Sequence, residues 1–214
     1  MKRRYDDACG TAHALELIGE RWALLVLREL MLGPRRFSEL RADLPGLSAN
    51  VLTQRLAELE QRGLVRRVRL PPPASVQVYE ATPWGLEAEP IVQALGRWAA
   101  RSPGHDPTLP ISGVSVLLSF RTMISAKRAK GIDARIGFRF GADDYVARIK
   151  KGQIRIARGP LDDCSTVFSG PPSALAAIVY GGQPLDLVGV TGDRTLAEKF
   201  TKLFVLPPKV GADG

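Results

Sequence analysis

Apolar side chains recur every three or four residues through the first hundred positions and every second residue over much of 132–169, so the chain changes period near its middle. Leu15, Ile18, Trp22, Leu25, Val26 and Leu30 predict one helix over residues 11–32, stopped by Gly33-Pro34, with Trp22 in the core. Phe37, Leu40 and Leu44 give a second apolar face and Leu52, Leu56 and Leu59 a third, separated by a tight Pro45-Gly46 turn. Ser48 stands where an N-cap belongs, and Gly63 supplies a left-handed stop after Gln61 and Arg62. Residues 64–70 and 76–81 read as two strands around the stiff loop Pro71-Pro72-Pro73. Thr82-Pro83 then caps a helix over 84–100, whose stripe of Leu86, Ile91, Leu95 and Trp98 has no obvious partner in so small a domain.

Residues 101–110, RSPGHDPTLP, form a linker by composition. Val114, Leu117, Phe120, Met123 and Ile124 suit a helix ending near Gly131. Alternation then predicts strands over 132–140 and 145–150, a hairpin turn at Lys151-Gly152, and further strands over 154–157 and 166–169 in a meander. A helix opens at Pro171-Pro172-Ser173 and runs through Tyr180, a short strand follows over 187–190, and the last helix spans 194–204. The expected fold class is α+β, with units at 1–101 and 111–214 joined by a linker at 102–110.

The chemistry is sharpest between the Pro45-Gly46 turn and Arg69. A helix pair followed by a basic hairpin is how a helix-turn-helix with a wing is written. The outward face of the second helix carries Ser48, Asn50, Thr53 and Gln54, candidates for reading base edges. Arg35, Arg36, Arg41, Arg55, Arg66, Arg67 and Arg69 surround it as phosphate candidates. The alternative for each is an ordinary solvated surface. Composition adds a net charge of +8, which fits a polyanionic partner. Residues 1–100 hold 14 Lys+Arg against 12 Asp+Glu and residues 101–214 hold 16 against 10, so most of the excess lies outside the half that reads as DNA-binding.

Other classes lose support. Two histidines and two cysteines, with no Cys-x-x-Cys spacing, make a multi-histidine metal site or a His-based triad improbable; no metal, cofactor or catalytic residue is expected. The acidic pairs Asp143-Asp144 and Asp162-Asp163 read as solvated turns. No run reaches the length of a membrane span, and the start lacks an apolar signal region, which points to the cytoplasm.

The runs LIGERWALLVLREL, GPRRFSELRADLPGLSANVLTQRLAELEQRGLV and VYEATPWG resemble the HxlR family of winged-helix transcriptional regulators across residues 9–98. That resemblance implies double-stranded DNA as partner, a wing along the DNA backbone, and a homodimer built from the first helix and the helix over 84–100. It also implies that Cys9 stands where some members sense oxidants or electrophiles; the alternative is a small buried hydrophobe.

Residues 117–204, above all FRFGADDYVARIKKGQIRIARGPLDDCSTVFSGPPSALAAIVYGG, resemble the sterol carrier protein 2 superfamily. This implies a curved, mainly antiparallel sheet with packed helices and an apolar cavity for a lipid or acyl chain. Phe120, Ile124, Phe138, Phe140, Val167, Leu175, Ile178 and Phe204 are its candidate lining, with core packing as the alternative. The combined expectation is a dimeric regulator with an effector or assembly module. The rival is a lipid or acyl-chain carrier whose helix-turn-helix mediates protein contacts.

Overall fold

The leucines at 52, 56 and 59 have to be buried, and the first part of the structure is arranged around burying them. A computed structural model describes residues 5–211, which divide into two units between Val92 and Gln93. The first holds α1 (Gly10–Ile18), α2 (Ala23–Glu29), α3 (Phe37–Asp43), α4 (Ala49–Gln61), β1 (Val65–Arg69), β2 (Gln77–Ala81), α5 (Pro83–Leu86) and the start of α6 (Glu89–Ala99). Leu52, Leu56 and Leu59 of α4 meet Ala23, Val26 and Leu27 of α2 and Leu40 of α3 in a closed apolar core.

Both ends of α4 are fixed as its sequence suggests. Ser48 Oγ accepts from the Val51 amide at 3.3 Å. At the other end, Leu64 N donates to Leu59 O and Gly63 N to Glu60 O, with Gly63 at φ +73, the double closure that only a left-handed residue permits cheaply. The chain then enters β1, which pairs antiparallel with β2 from Val65↔Ala81 to Arg69↔Gln77. Arg35 adds a third rung through mutual backbone bonds with Tyr79. Thr82 Oγ1 donates to Gly63 O and accepts from Gly85 N, binding the hairpin exit to the end of α4. Gly85 lies so close that a Cβ there would sit 2.1 Å from Leu64 O.

Two expected helices are each divided. The single helix over 11–32 breaks at Gly19, and Trp22, half-buried and not core, takes φ +76 with Arg21 over its ring. The break rotates α2 so that Ala23, Val26, Leu27 and Leu30 face the core, leaving Leu15 and Leu25 exposed. Arg62 Nη1 donates to the terminal Leu17 carbonyl at 2.8 Å, satisfying one group the ended helix frees. The helix over 84–100 breaks after Leu86, because Pro90 has no N–H to return to that carbonyl.

The second unit contains α7 (Gly113–Met123), β3 (Ala134–Phe140), β4 (Asp143–Lys150), β5 (Gln153–Arg158), β6 (Thr166–Ser169), α8 (Pro172–Gly181), β7 (Gly189–Gly192) and α9 (Arg194–Thr201). The sheet order is β5-β4-β3-β6-β7. It is mixed: β6 crosses back to pair parallel with β3, so the meander expected from alternation ends at β5. Ile136, Phe138, Tyr145, Ala147, Ile149, Ile156 and Phe168 point to one side, where Leu117 and Phe120 of α7, Leu175 and Ile178 of α8, and Phe200 of α9 are also buried. The helix expected to end near Gly131 stops at Met123, and the last helix stops at Thr201. Between them, Ile124 and Phe204 form an antiparallel bridge.

The residues expected as a linker begin tied to the chain's end: Val210 N donates to Arg101 O at 2.8 Å, Arg101 Nε to Pro208 O at 3.2 Å and Lys209 Nζ to Ser102 O at 2.9 Å. Arg97 also reaches the Thr122 carbonyl. The division consequently falls inside α6, ahead of the proline-rich stretch. Among the described residues, no helix is long and apolar enough to cross a membrane.

Removing a buried ring should cost far more than removing the cap. Phe138→Ala is expected to lose about 3–5 kcal/mol and Ser48→Ala about 1 kcal/mol in chemical denaturation. Equal losses would contradict the packing described.

Candidate nucleic-acid interface

Burying one face of α4 leaves the other in solvent, and Asn50, Thr53 and Gln54 are all exposed there, in the first half of the helix. Thr53 Oγ1 donates to Ala49 O at 3.0 Å and Gln54 Nε2 to Glu58 Oε1 at 3.1 Å. Both are exposed bonds that water already contests, so a base edge can replace them at little cost. Ser48 is differently employed. Its oxygen caps the helix, which leaves its hydroxyl hydrogen for a neighbouring group.

The arginines separate into two groups. Arg36 and Arg41 on α3, and Arg66, Arg67 and Arg69 on β1, are exposed. Arg66 is aligned by Glu80 opposite it at 2.5 Å, and Arg67 by Glu60 at 3.4 Å and the Tyr79 ring at 5.5 Å. Arg67, Val68, Arg69, Ser75 and Gln77 line a concavity of about 440 Å³ at the wing. Arg35 and Arg55 do not belong with them. Arg35 is 3% exposed, paired with Asp43 and lying 3.8 Å from Glu39; Arg55 is 7% exposed, with Nη1 3.3 Å from Glu20 and 3.0 Å from Glu58. These two guanidiniums hold the helices together and are spent internally. Sequence reading missed them because neither Arg55, beside a leucine stripe, nor Arg35, in the turn before α3, shows from its neighbours whether its head is free or turned under. It also missed Tyr79, the platform for Arg67, although strand alternation puts the two in register.

Cys9 sits at the start of α1 and is exposed, which removes the reading as a buried hydrophobe. The Thr11 amide, the Thr11 hydroxyl and the Ala12 amide lower its pKa by favouring the thiolate. Cys164 differs: burial pushes its pKa up, against the pull of Arg135.

The candidate cavity residues of the second unit are also sorted. Phe120, Phe138, Phe140, Leu175, Ile178 and Phe204 are buried, and Phe120 lies 4.5 Å from Phe204 and 6.1 Å from Phe138 between ring centroids. Ile124 is half-buried at its bridge. Val167 faces the opposite side of the sheet, beside Gly137, Leu161 and Cys164, because β6 pairs Val167 with Gly137 and Phe168 with Phe138. It therefore cannot line one space with the phenylalanines.

Comparison with known proteins matches the first unit and slightly beyond it. The sequence model of the HxlR-like helix-turn-helix matches residues 17–106. The HTH-type transcriptional regulator YvaP of Bacillus subtilis is 38% identical over 86 residues, 40% of this chain and 80% of YvaP. YodB, an HTH-type transcriptional regulator of the same organism, is 37% identical over 86 residues, 40% of this chain and 77% of YodB. The solved reduced form of YodB aligns with a TM-score of 0.41 at 33% identity, covering 47% of this chain and all of that one.

Two outcomes follow from the sorted side chains. Arg55→Ala should destabilise the protein by about 1–3 kcal/mol, while Arg41→Ala stays within about 0.5 kcal/mol. At neutral pH a thiol-reactive probe should label Cys9 before Cys164, with the Cys9 rate reaching its plateau at lower pH; the reverse order would exclude an activated Cys9.

Proposed function

Because the chain belongs to the HxlR-like helix-turn-helix family, we propose that it is a sequence-specific transcriptional regulator that binds double-stranded DNA through α4 and the β1–β2 wing. One observation carries the reading: an α4 capped at both ends, buried on its leucine side, presenting Asn50, Thr53 and Gln54 beside a hairpin that bears Arg66, Arg67 and Arg69. Amide and hydroxyl side chains suit base edges, and exposed guanidiniums suit phosphates. Arg36 and Arg41 extend the phosphate set along α3.

The regulator acts as a homodimer in this reading. No residue of α6 is buried, and Ile91, Leu95 and Trp98 follow one another at helical spacing with exposures of 46%, 45% and 73%. Such a face costs free energy in water and is offset by a second copy of itself on a two-fold axis. Leu15 and Leu25, also exposed, would join it. Cys9 is the input in this reading: an exposed thiol with a lowered pKa, to be oxidised or alkylated as the signal. The second unit, sterol-carrier-like in its sequence, serves as an effector or assembly module; its ring-packed interior favours assembly over an open lipid tunnel.

On an operator selected from random duplexes, Gln54→Ala should cost about 1–3 kcal/mol and almost nothing on random DNA. Arg67→Ala should weaken both alike and flatten the salt dependence. Equal losses on both DNAs for Gln54→Ala would remove it from the reading set. The selected site should be palindromic, with half-sites about 10–10.5 base pairs apart or a multiple of that. In sedimentation, Ile91→Asp with Leu95→Asp should convert a dimer into a folded monomer; a variant that still dimerises would place the interface elsewhere.

A further inference from the structure

The excess positive charge of the second unit is unused by the reading above, and the sheet register shows where part of it goes. On the side of the sheet opposite the phenylalanine core, Arg135 of β3 is paired with Arg148 of β4, and Arg148 with Arg155 of β5. Three arginines thus stand in one row across neighbouring strands, which are about 4.8 Å apart; Arg148 and Arg155 are exposed, while Arg135 is half-buried with its side chain hydrogen-bonded to Cys164. Like charges directly opposite each other destabilise a sheet. Lys150 is next along the same side of β4, and Lys151 is exposed at the hairpin tip.

The acidic groups nearby offset only part of the row. Asp133 pairs with Arg148 and lies 3.6 Å from Lys150. Asp162 and Asp163 lie by Cys164 at the Arg135 end. Arg155, exposed, has no acidic partner among the described residues. On the same side of the sheet Gln153 stands opposite Lys150 and Val146 opposite Ala157, and Val167 and Leu161 lie half-buried beside Gly137. Planar guanidiniums on a rigid sheet suit a series of phosphates.

We propose that Arg148 and Arg155, with Lys150 and Lys151 beside them and the half-buried Arg135 at the inner end of the row, are a second, sequence-independent contact for the phosphate backbone of duplex DNA. This rests on the DNA-binding reading of the first unit. Once the winged helix holds a duplex, the tethered second unit meets flanking phosphates at high effective concentration, so even a weak contact adds affinity. The winged helix then supplies sequence choice and the sheet supplies grip.

The test uses the full chain and a long random-sequence duplex. Arg148→Ala with Arg155→Ala should lower affinity about tenfold or more at about 0.1 M salt and reduce the slope of log K against log salt by about 2. Arg148→Lys with Arg155→Lys should keep most of the binding, since charge is retained. The melting temperature of the alanine pair without DNA should be little changed, because the Arg148–Arg155 repulsion and the exposed Arg148–Asp133 pair are lost together. Wild-type affinity and slope in the alanine pair, while Arg66→Ala with Arg67→Ala is impaired, would overturn this proposal alone. Loss of binding to phosphatidylserine vesicles with duplex affinity intact would overturn it in favour of a lipid surface. A wild-type chain that binds no duplex would overturn the DNA-binding reading, and this proposal with it.

Discussion

Burial of Leu52, Leu56 and Leu59 against α2 is the interaction on which the first unit depends. An α-helix that buries one stripe must expose the opposite one, so the placement of Asn50, Thr53 and Gln54 in solvent follows from the leucines and needs no separate cause. The closures at Ser48 and Gly63 then set where the exposed stripe begins and where the chain turns into the wing. Arg55 completes the arrangement from within. It lies at the edge of the buried stripe, and its pairing with Glu20 and Glu58 holds α4 to the loop after α1, so the same helix carries a structural cation inside and reading groups outside.

What the sequence made legible was whatever local chemistry determines. The turn at Pro45-Gly46, the cap at Ser48, the stop at Gly63 and the alternation of β3 to β5 are all written within a few residues of where they act. The failures are non-local. Nothing in the stripe of Leu15, Ile18 and Trp22 announces that the chain will take a left-handed step at Trp22; the step is settled by which side of α2 meets α4. Alternation over 166–169 shows a strand and its faces but not its neighbour, so the parallel pairing of β6 with β3, and with it the misplacement of Val167, could not be read from period. Arg35 and Arg55 failed for the same reason: the acids that bury them, Asp43 and Glu20, are supplied by other elements.

Charge shows the limit of totals most clearly. The net +8 is compatible with DNA, yet it is unevenly divided and partly consumed. Two of the seven arginines that surround α4 in the sequence are internal, while the second unit sets three across adjacent strands where electrostatics alone would avoid them. Neighbouring acids and strand register, not composition, separate a braced arginine from an exposed one.

The two units also differ in how much specificity their surfaces can carry. Side chains on α4 end in groups with distinct donors and acceptors, the kind that can tell one base edge from another. Guanidiniums on a sheet present one kind of donor at a fixed spacing and cannot distinguish sequences. On the proposed reading, a regulator built from both would divide recognition between them, the helix discriminating with few contacts and the basic sheet raising affinity for any duplex equally. That division has a thermodynamic consequence. Added non-specific grip leaves the free-energy difference between operator and random DNA unchanged while strengthening both, so it lengthens residence on DNA without improving choice. A signal that altered only the sheet's engagement would therefore change occupancy at every site by one factor, whereas a signal acting on the spacing of two α4 helices would act on the operator alone.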